Sequence, residues 1–429
     1  MSMNSKNNPF ALLPFIIFLG TFLLAGILTG DFYQISMLIP ALLASFVSFI
    51  LPNKDRLSER VEQFAKGAGH PDIMIMVMIF ILAGAFSSVA SSIGAVNSTV
   101  QFALTYLPEN MIIVGIFIIA CFISLAMGTS VGTIAALAPI AVGISSETGL
   151  PSEMTVATVV GGAMFGDNLS IISDTTIAAV RTQKTEMKDK FKTNFFIVLP
   201  AAIATIALLF FLSYGSSTGV SATSFEWITI LPYIGVLAGA LAGVNVLIVL
   251  FGGILLAGLI GVSSPSYTFI DLFNHISDGI TGMSELILLT IIIGGIVSMI
   301  QYNGGIDFIR HVLTKRVRSK RGAEASIAGL VASTNLATAN NTIAIITSGQ
   351  LAKQIADDYN IDRRKSASLL DIFSCTVQGL IPYGAQLLAA SQFSGLSPVV
   401  MLPYSFYPIF IAVMGIISIQ FDFPKLKKK

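Results

Sequence analysis

"GDNLSIISDTT", residues 166–176, places two aspartates, an asparagine, two serines and two threonines in an otherwise apolar stretch, with "TVATVVGGAMF" before it and "IAAV" after. A carboxylate at membrane depth is expensive and by default functional. Whether these residues lie at membrane depth depends on the chain around them.

That chain is 429 residues long, 54% hydrophobic and 11% charged, with a mean hydropathy of +0.83. Apolar runs at 14–28, 73–86, 111–127, 195–212, 228–260, 286–300 and 399–419 recur from end to end. Each can form the core of a helical span, which needs about 20 residues. The expectation is an all-α polytopic membrane protein, since a barrel would show short alternating strands. A net charge of +1 gives no reason to expect nucleic acid. Cys121 and Cys375 lie in apolar runs and read as packing residues. His70, His275 and His311 are scattered, so no metal centre or cofactor is expected. Trp227 reads as an interfacial anchor. An intramembrane aspartyl protease would need glycine at 164 and tyrosine at 370. The chain has Met164 and Leu370, so an enzyme is not expected.

Lys and Arg collect at 54–66, 181–192, 310–321, 353–365 and 425–429, and are absent from 30–33, 95–110, 145–153 and 214–226. The positive-inside rule places the first set in the cytoplasm and the second outside. The basic runs then read as solvated loops, with both termini cytoplasmic in the cell (inner or plasma) membrane. The first apolar run follows Lys6 without a clear cleavage site and reads as a retained helix. About 12 crossing or half-crossing elements are expected, beyond two hairpin-like segments.

Two halves share a layout. "ILAGAFSSVASSIG" (81–94) resembles "IIIGGIVSMIQYNGG" (291–305), with Gly84 and Gly295, Ser87 and Ser298, and Gly94 and Gly305 all 211 residues apart. The same offset relates Thr129-Ser130 to Asn340-Asn341, Asp167 to Gln378, and Ala178-Ala179 to Ala389-Ala390. The connection at 145–153 reads as outside and its counterpart at 357–365 as inside, so the repeat is expected to be inverted. The expected organisation is N-terminal scaffold helices 1–71, a first repeat 72–213, linking scaffold helices 214–283, a second repeat 284–419 and a basic cytoplasmic tail 420–429. Inverted repeats are typical of secondary transporters, whose sites lie where helices break near the midplane.

Four breaks are legible. "AMGTSVGT" (126–133) and "STNLATANNT" (333–342) interrupt runs too long for one span at 1.5 Å per residue, as two re-entrant hairpin-like elements would. The stretch at 166–176 and "GLIPYG" (379–384) read as two broken helices; Pro382 removes a backbone donor. Irregular backbone at this depth must be buried in protein or line a cavity. Oxygen-bearing side chains there suit a hard cation such as Na⁺. Candidate cation and proton ligands are Asp167, Asp174, Asn168, Ser173, Thr129 and Ser130, with Na⁺ at Asp167 and Asp174. Second-half candidates for an ion or substrate are Asn340, Asn341, Thr342, Asp371, Ser374, Thr376 and Gln378, with Tyr383 and Gln386 as substrate contacts. Burial disfavours a charged carboxylate, so one Asp can hold Na⁺ or H⁺, and alternate exposure exchanges one for the other. Structural readings stand beside these. Ser173 or Asp174 would cap the following helix, and Asp371 could sit at the membrane edge.

"GTSVGT" followed by "GDNLSIISDTT" resembles the NhaC family of Na⁺/H⁺ antiporters, within the wider ion transporter superfamily. The family's GD-x-x-S-P-I-S-D-T-T is matched at Gly166, Asp167, Ser170, Ile172, Ser173, Asp174, Thr175 and Thr176. Ile171 replaces the proline, and Asn168 stands where a basic residue or His is frequent. The resemblance implies an elevator-type inverted-repeat transporter in the lipid bilayer, a homodimer whose carrier domains are built from the hairpins and broken helices. It implies Na⁺/H⁺ antiport, with Na⁺ and H⁺ as transported or coupling ions. Relatives that exchange organic acids or carry amino acids leave a second expectation, Na⁺- or H⁺-coupled movement of an amino acid or small carboxylate.

Overall fold

The computed structural model describes residues 8–29, 36–51, 55–106, 108, 111–171, 173–213, 224–314 and 319–425. The expected connections at 30–33 and 214–226, and the tail beyond 425, fall wholly or mostly outside those residues. The described residues form α-helices and short 3₁₀ turns, with no strand among them. In chain order the helices are α1 Leu13–Thr29, α2 Leu38–Ile50, α3 Leu57–Ala68, α4 Pro71–Ser92, α5 Ala95–Tyr106, α6 Ile112–Met127 and α7 Ser130–Thr148. Next come α8 Ser152–Leu169, α9 Asp174–Gln183, α10 Met187–Ser213, α11 Trp227–Leu241, α12 Val246–Val262, α13 Phe269–Gly282 and α14 Ser284–Tyr302. The last are α15 Gly305–Thr314, α16 Lys320–Thr338, α17 Asn341–Asp358, α18 Arg363–Gln378, α19 Ala385–Ser394, α20 Pro398–Met401 and α21 Phe406–Gln420.

This is a multi-pass membrane protein. Six described segments are long and apolar enough to cross a bilayer, or seven if the bent pair Ala385–Ser394 and Pro398–Tyr404 is one span. That is fewer than the expected dozen because five further apolar helices are only 10–17 residues long. On α12, Ile248, Phe251, Leu255 and Leu259 face outward at helical spacing, and Ile203 and Phe211 do so on α10. Water would oppose such stripes; lipid accepts them.

Two basic or uncharged runs that read as loops are folded otherwise. Residues 54–66 fall largely in α3, which packs on α14, where Gln63 donates to Ser298 Oγ at 2.8 Å. The connection 95–110 is largely helix α5, with Ala95, Ser98, Val100 and Gln101 buried. Their apolar residues recur at helical spacing, a weaker signal than an unbroken apolar run.

Helix boundaries recur at the 211-residue offset. Starts at 130, 152 and 174 are matched at 341, 363 and 385. The left-handed residues Gly128, Gly149 and Lys184 (φ 67°, 66° and 53°) are matched by Ala339, Asn360 and Gly395 (φ 49°, 51° and 68°). α3 and α13 begin at 57 and 269, 212 residues apart. The packing is exchanged between halves: α3 lies on α14, and α13 lies on α4.

α6 and α8 touch most closely. A Cβ on Gly166 would lie 2.5 Å from Leu125 N and 2.6 Å from Cys121 O, both backbone atoms. Gly166 is therefore a packing residue inside α8, which ends later, at Leu169, with α9 starting at Asp174. Gly166→Ala must push α8 off α6. The expected cost is about 1–3 kcal/mol, read as a lower thermal midpoint. An unchanged midpoint would show that the two helices separate freely.

Candidate functional site

Four breaks meet at one cavity. After α6 the chain turns at Gly128, whose φ of 67° favours glycine, and Thr129 Oγ1 accepts from Gly132 N at 3.4 Å to cap α7. After α16 it turns at Ala339, and Asn340 Oδ1 accepts from Ile343 N at 2.9 Å to cap α17. α8 stops at Leu169 and α9 starts at Asp174. α18 stops at Gln378 and α19 starts at Ala385. Ser130, Asp174, Asn341 and Ala385, the first residues of α7, α9, α17 and α19, all line the cavity. Its volume is about 90 Å³. A cavity needs about 10–15 Å³ of such space to hold one water, so there is room for a cation with several waters or for a small solute.

Asp167 is buried in the cavity wall. Its Oδ1 accepts from Ser173 Oγ and, at 3.5 Å, from Thr175 Oγ1; its Oδ2 accepts from Ser130 Oγ at 3.3 Å. Three hydroxyls from two elements thus converge on one carboxylate. Ser130 Oγ in turn accepts from Gln386 Nε2 at 3.0 Å. Gln378 Nε2 donates to Gln386 Oε1 at 2.8 Å and to Ala339 O at 3.1 Å. One polar chain therefore joins all four breaks. Gln378 and Gln386 stand 211 residues after Asp167 and Thr175, so an amide pair occupies the place of a carboxylate and hydroxyl.

Other candidates are placed differently. Asp174 is exposed at the first position of α9, and lines the cavity with half-buried Asp72. The break means that Asp167 and Asp174 do not share a helix face. Thr129, Asn340, Asn341 and Thr342 line the cavity, and Asn341 Oδ1 accepts from Thr342 N at 3.1 Å. The Asn168 side chain points away, donating to Met164 O at 2.9 Å. Ser374 Oγ donates to Asp371 O at 2.9 Å; neither Ser374 nor Thr376 lines the cavity. Tyr383 donates to Leu336 O at 2.9 Å and packs edge-on against Phe15 and Phe18, outside it.

Asp371 lies neither at the cavity nor at a solvated edge. It forms a 2.8 Å ion pair with Lys190, each side chain only 1% exposed. Asn194 Nδ2 donates to the same Asp371 oxygen at 2.7 Å. Lys190 belongs to a run that reads as a solvated loop, and so does Lys365, which is also buried. Lys365 Nζ donates to Ser418 O at 2.9 Å and to Ser418 Oγ and Phe423 O. Sequence reasoning passed over Lys190, Asn194 and Asp72. The legible signals were a lysine one turn before an asparagine at the start of an apolar helix, and an acid just after the proline that opens α4.

A family model described as "Na+/H+ antiporter family" matches residues 10–214 and again 212–423. The Na⁺/H⁺ antiporter NhaC of Bacillus subtilis is 26% identical, over 83% of this chain and 84% of its own length. The malate-2H⁺/Na⁺-lactate antiporter of the same organism is 22% identical, over 93% of each chain. Among solved structures, the YdaH transporter of Alcanivorax borkumensis aligns over 96% of this chain and 99% of its own at 15% identity, with a TM-score of 0.43.

Proposed function

The chain belongs to the Na⁺/H⁺ antiporter family, and from that premise we propose that it exchanges Na⁺ for H⁺ at Asp167. The observation that carries this reading is the carboxylate itself: buried, ringed by three hydroxyls, beside a cavity, and with no Lys or Arg at ion-pair distance among the described residues. Na⁺ takes the carboxylate and hydroxyl oxygens as ligands. A proton neutralises the same charge, so the two compete for one position. Asp174 and Asp72 at the cavity wall raise the local cation concentration. The recurrence of helix boundaries and left-handed turns supports an inverted repeat, and so does the family model matching twice. Such a repeat supplies two related halves that can rock or slide the site between membrane faces.

A second reading has its own observation. Four helix N-termini meet at the cavity, each carrying a partial positive charge of roughly +0.5, an arrangement that also suits a small carboxylate. The malate/lactate exchanger among the relatives fits that reading.

Purified protein in proteoliposomes separates the two. Added Na⁺ is expected to move protons across the membrane with no organic solute present, and to do so less effectively as pH falls, because H⁺ then holds the site. Flux of labelled malate or lactate with no solute-free Na⁺/H⁺ exchange would replace this reading with the second.

The inverted repeat has a separate test. Glu147 and Asp358 are exposed at the ends of α7 and α17. Single cysteines there, in a chain lacking Cys121 and Cys375, are expected to react with an impermeant thiol reagent from opposite faces. Labelling from one face would exclude inversion.

A further inference from the structure

Lys190 lies behind the exchange cavity and carries a fixed charge that the proposed mechanism does not use. Its ammonium donates to Asp371 Oδ2 at 2.8 Å, Asn168 O at 2.8 Å and Thr176 Oγ1 at 2.7 Å. An ammonium has three donors, and these three oxygens engage them. The Asn168 carbonyl belongs to the last turn of α8, where helix carbonyls lose their intrahelical partners. Asn194, one turn after Lys190, holds the same two acceptors, at 2.7 Å to Asp371 Oδ2 and 3.0 Å to Asn168 O. A carboxylate, a freed helix carbonyl and a threonine hydroxyl make up the ligand set of a hard cation. Asp167, the residue before Asn168, collects a similar set on the cavity side.

We propose that the Lys190 ammonium is a built-in cation. It fills a second oxygen-lined cation position at the junction of α8, α9, α10 and α18, and leaves the Asp167 cavity as the one position that takes an external cation. The charge count agrees. Asp167 and Asp371 are both buried; Asp371 forms an ion pair with Lys190, and Asp167 forms none among the described residues. The second-half counterpart of Asp167 is Gln378, which carries no charge. The chain therefore binds one external monovalent cation at a time. This count rests on the Asp167 reading; the assignment of the Lys190 position does not.

The test has two arms. In the first, equilibrium binding of radiolabelled Na⁺ to purified wild type is expected to saturate at one ion per chain. Two ions would overturn the proposal. No binding would sink the Asp167 reading and leave the second arm to decide on Lys190. In that arm, Lys190→Ala keeps Asp371 and empties the position. Its thermal midpoint is expected to rise in ammonium or sodium chloride over choline chloride of equal ionic strength. The rise should exceed that of wild type and vanish in Lys190→Ala/Asp371→Ala. A monodisperse Lys190→Ala that responds to no small cation beyond the wild-type response would overturn the proposal. If Lys190→Ala cannot be purified in any of the three salts, Lys190→Ser, which also leaves the position open, takes its place with the same readout and the same two outcomes.

Discussion

Asp167→Asn is expected to give a folded, monodisperse protein that no longer couples Na⁺ to H⁺. The amide matches the carboxylate in size; with its oxygen in the Oδ1 place it still accepts from Ser173, while its NH2 in the Oδ2 place donates toward Ser130 Oγ. What it loses is the charge. An interaction with a charged group is worth about 1.5–3 kcal/mol. Two oxygens serving one cation make that roughly 3–6 kcal/mol, or about 100-fold or more in affinity at 1.4 kcal/mol per tenfold. Proton coupling should disappear altogether, because an amide does not titrate in the working range. If the carboxylate were only tying the break between α8 and α9 to the tip at Ser130, the variant would melt earlier and still exchange. The measurement is Na⁺-driven proton flux in proteoliposomes over a pH series, beside a melting curve. Asp167→Asn with wild-type flux and wild-type pH dependence would move the exchange site elsewhere, first to Asp174 and Asp72.

Asp371→Leu is expected to be among the most destabilising single changes in the chain. It leaves the Lys190 ammonium buried with two neutral acceptors and no counter-charge. Breaking a buried pair by removing one partner costs about 3–5 kcal/mol. Replacing both partners by apolar groups of similar volume is often neutral, so Lys190→Met/Asp371→Leu should recover most of the loss. The double-mutant cycle reads that recovery as a coupling between residues in contact. Additive losses would mean that each side chain is held by other neighbours and that the pair contributes little. Unlike Asp167→Asn, this change should act first on stability and only through it on transport.

Much of the candidate site was legible because its signals are local. Gly128, the Asn340-Asn341 pair, the run at 166–176 and "GLIPYG" each interrupt an apolar stretch within a few residues. A bilayer leaves such interruptions few places to go. Reading the break itself was less secure. Gly166 looked like the point where α8 ends, yet it is where α8 touches α6, and close helix contact and helix breaking both use glycine. The candidates at the breaks fell into three groups: those lining the cavity (Asp167, Asp174, Ser173, Thr129, Ser130, Asn340, Asn341, Thr342, Gln378, Gln386), those turned away from it (Asn168, Ser374, Thr376, Tyr383), and Asp371, held by Lys190.

The residues alone determined the all-helical membrane class, the family motif, the positions of the breaks to within a turn of helix and the 211-residue correspondence. Each follows from composition or from spacing along the chain, and needs no knowledge of what lies across a packed interface. The fate of the charges was decided by tertiary structure. Lys190 and Lys365 sit in basic runs like those of ordinary cytoplasmic loops, and burial of a lysine depends on whether a distant carboxylate or carbonyl waits for it. Asp371 supplies that partner for Lys190, and Ser418 and Phe423 supply it for Lys365. Asp167 has no ion-pair partner among the described residues, and that difference between two buried carboxylates arises only when α8, α10 and α18 are packed together.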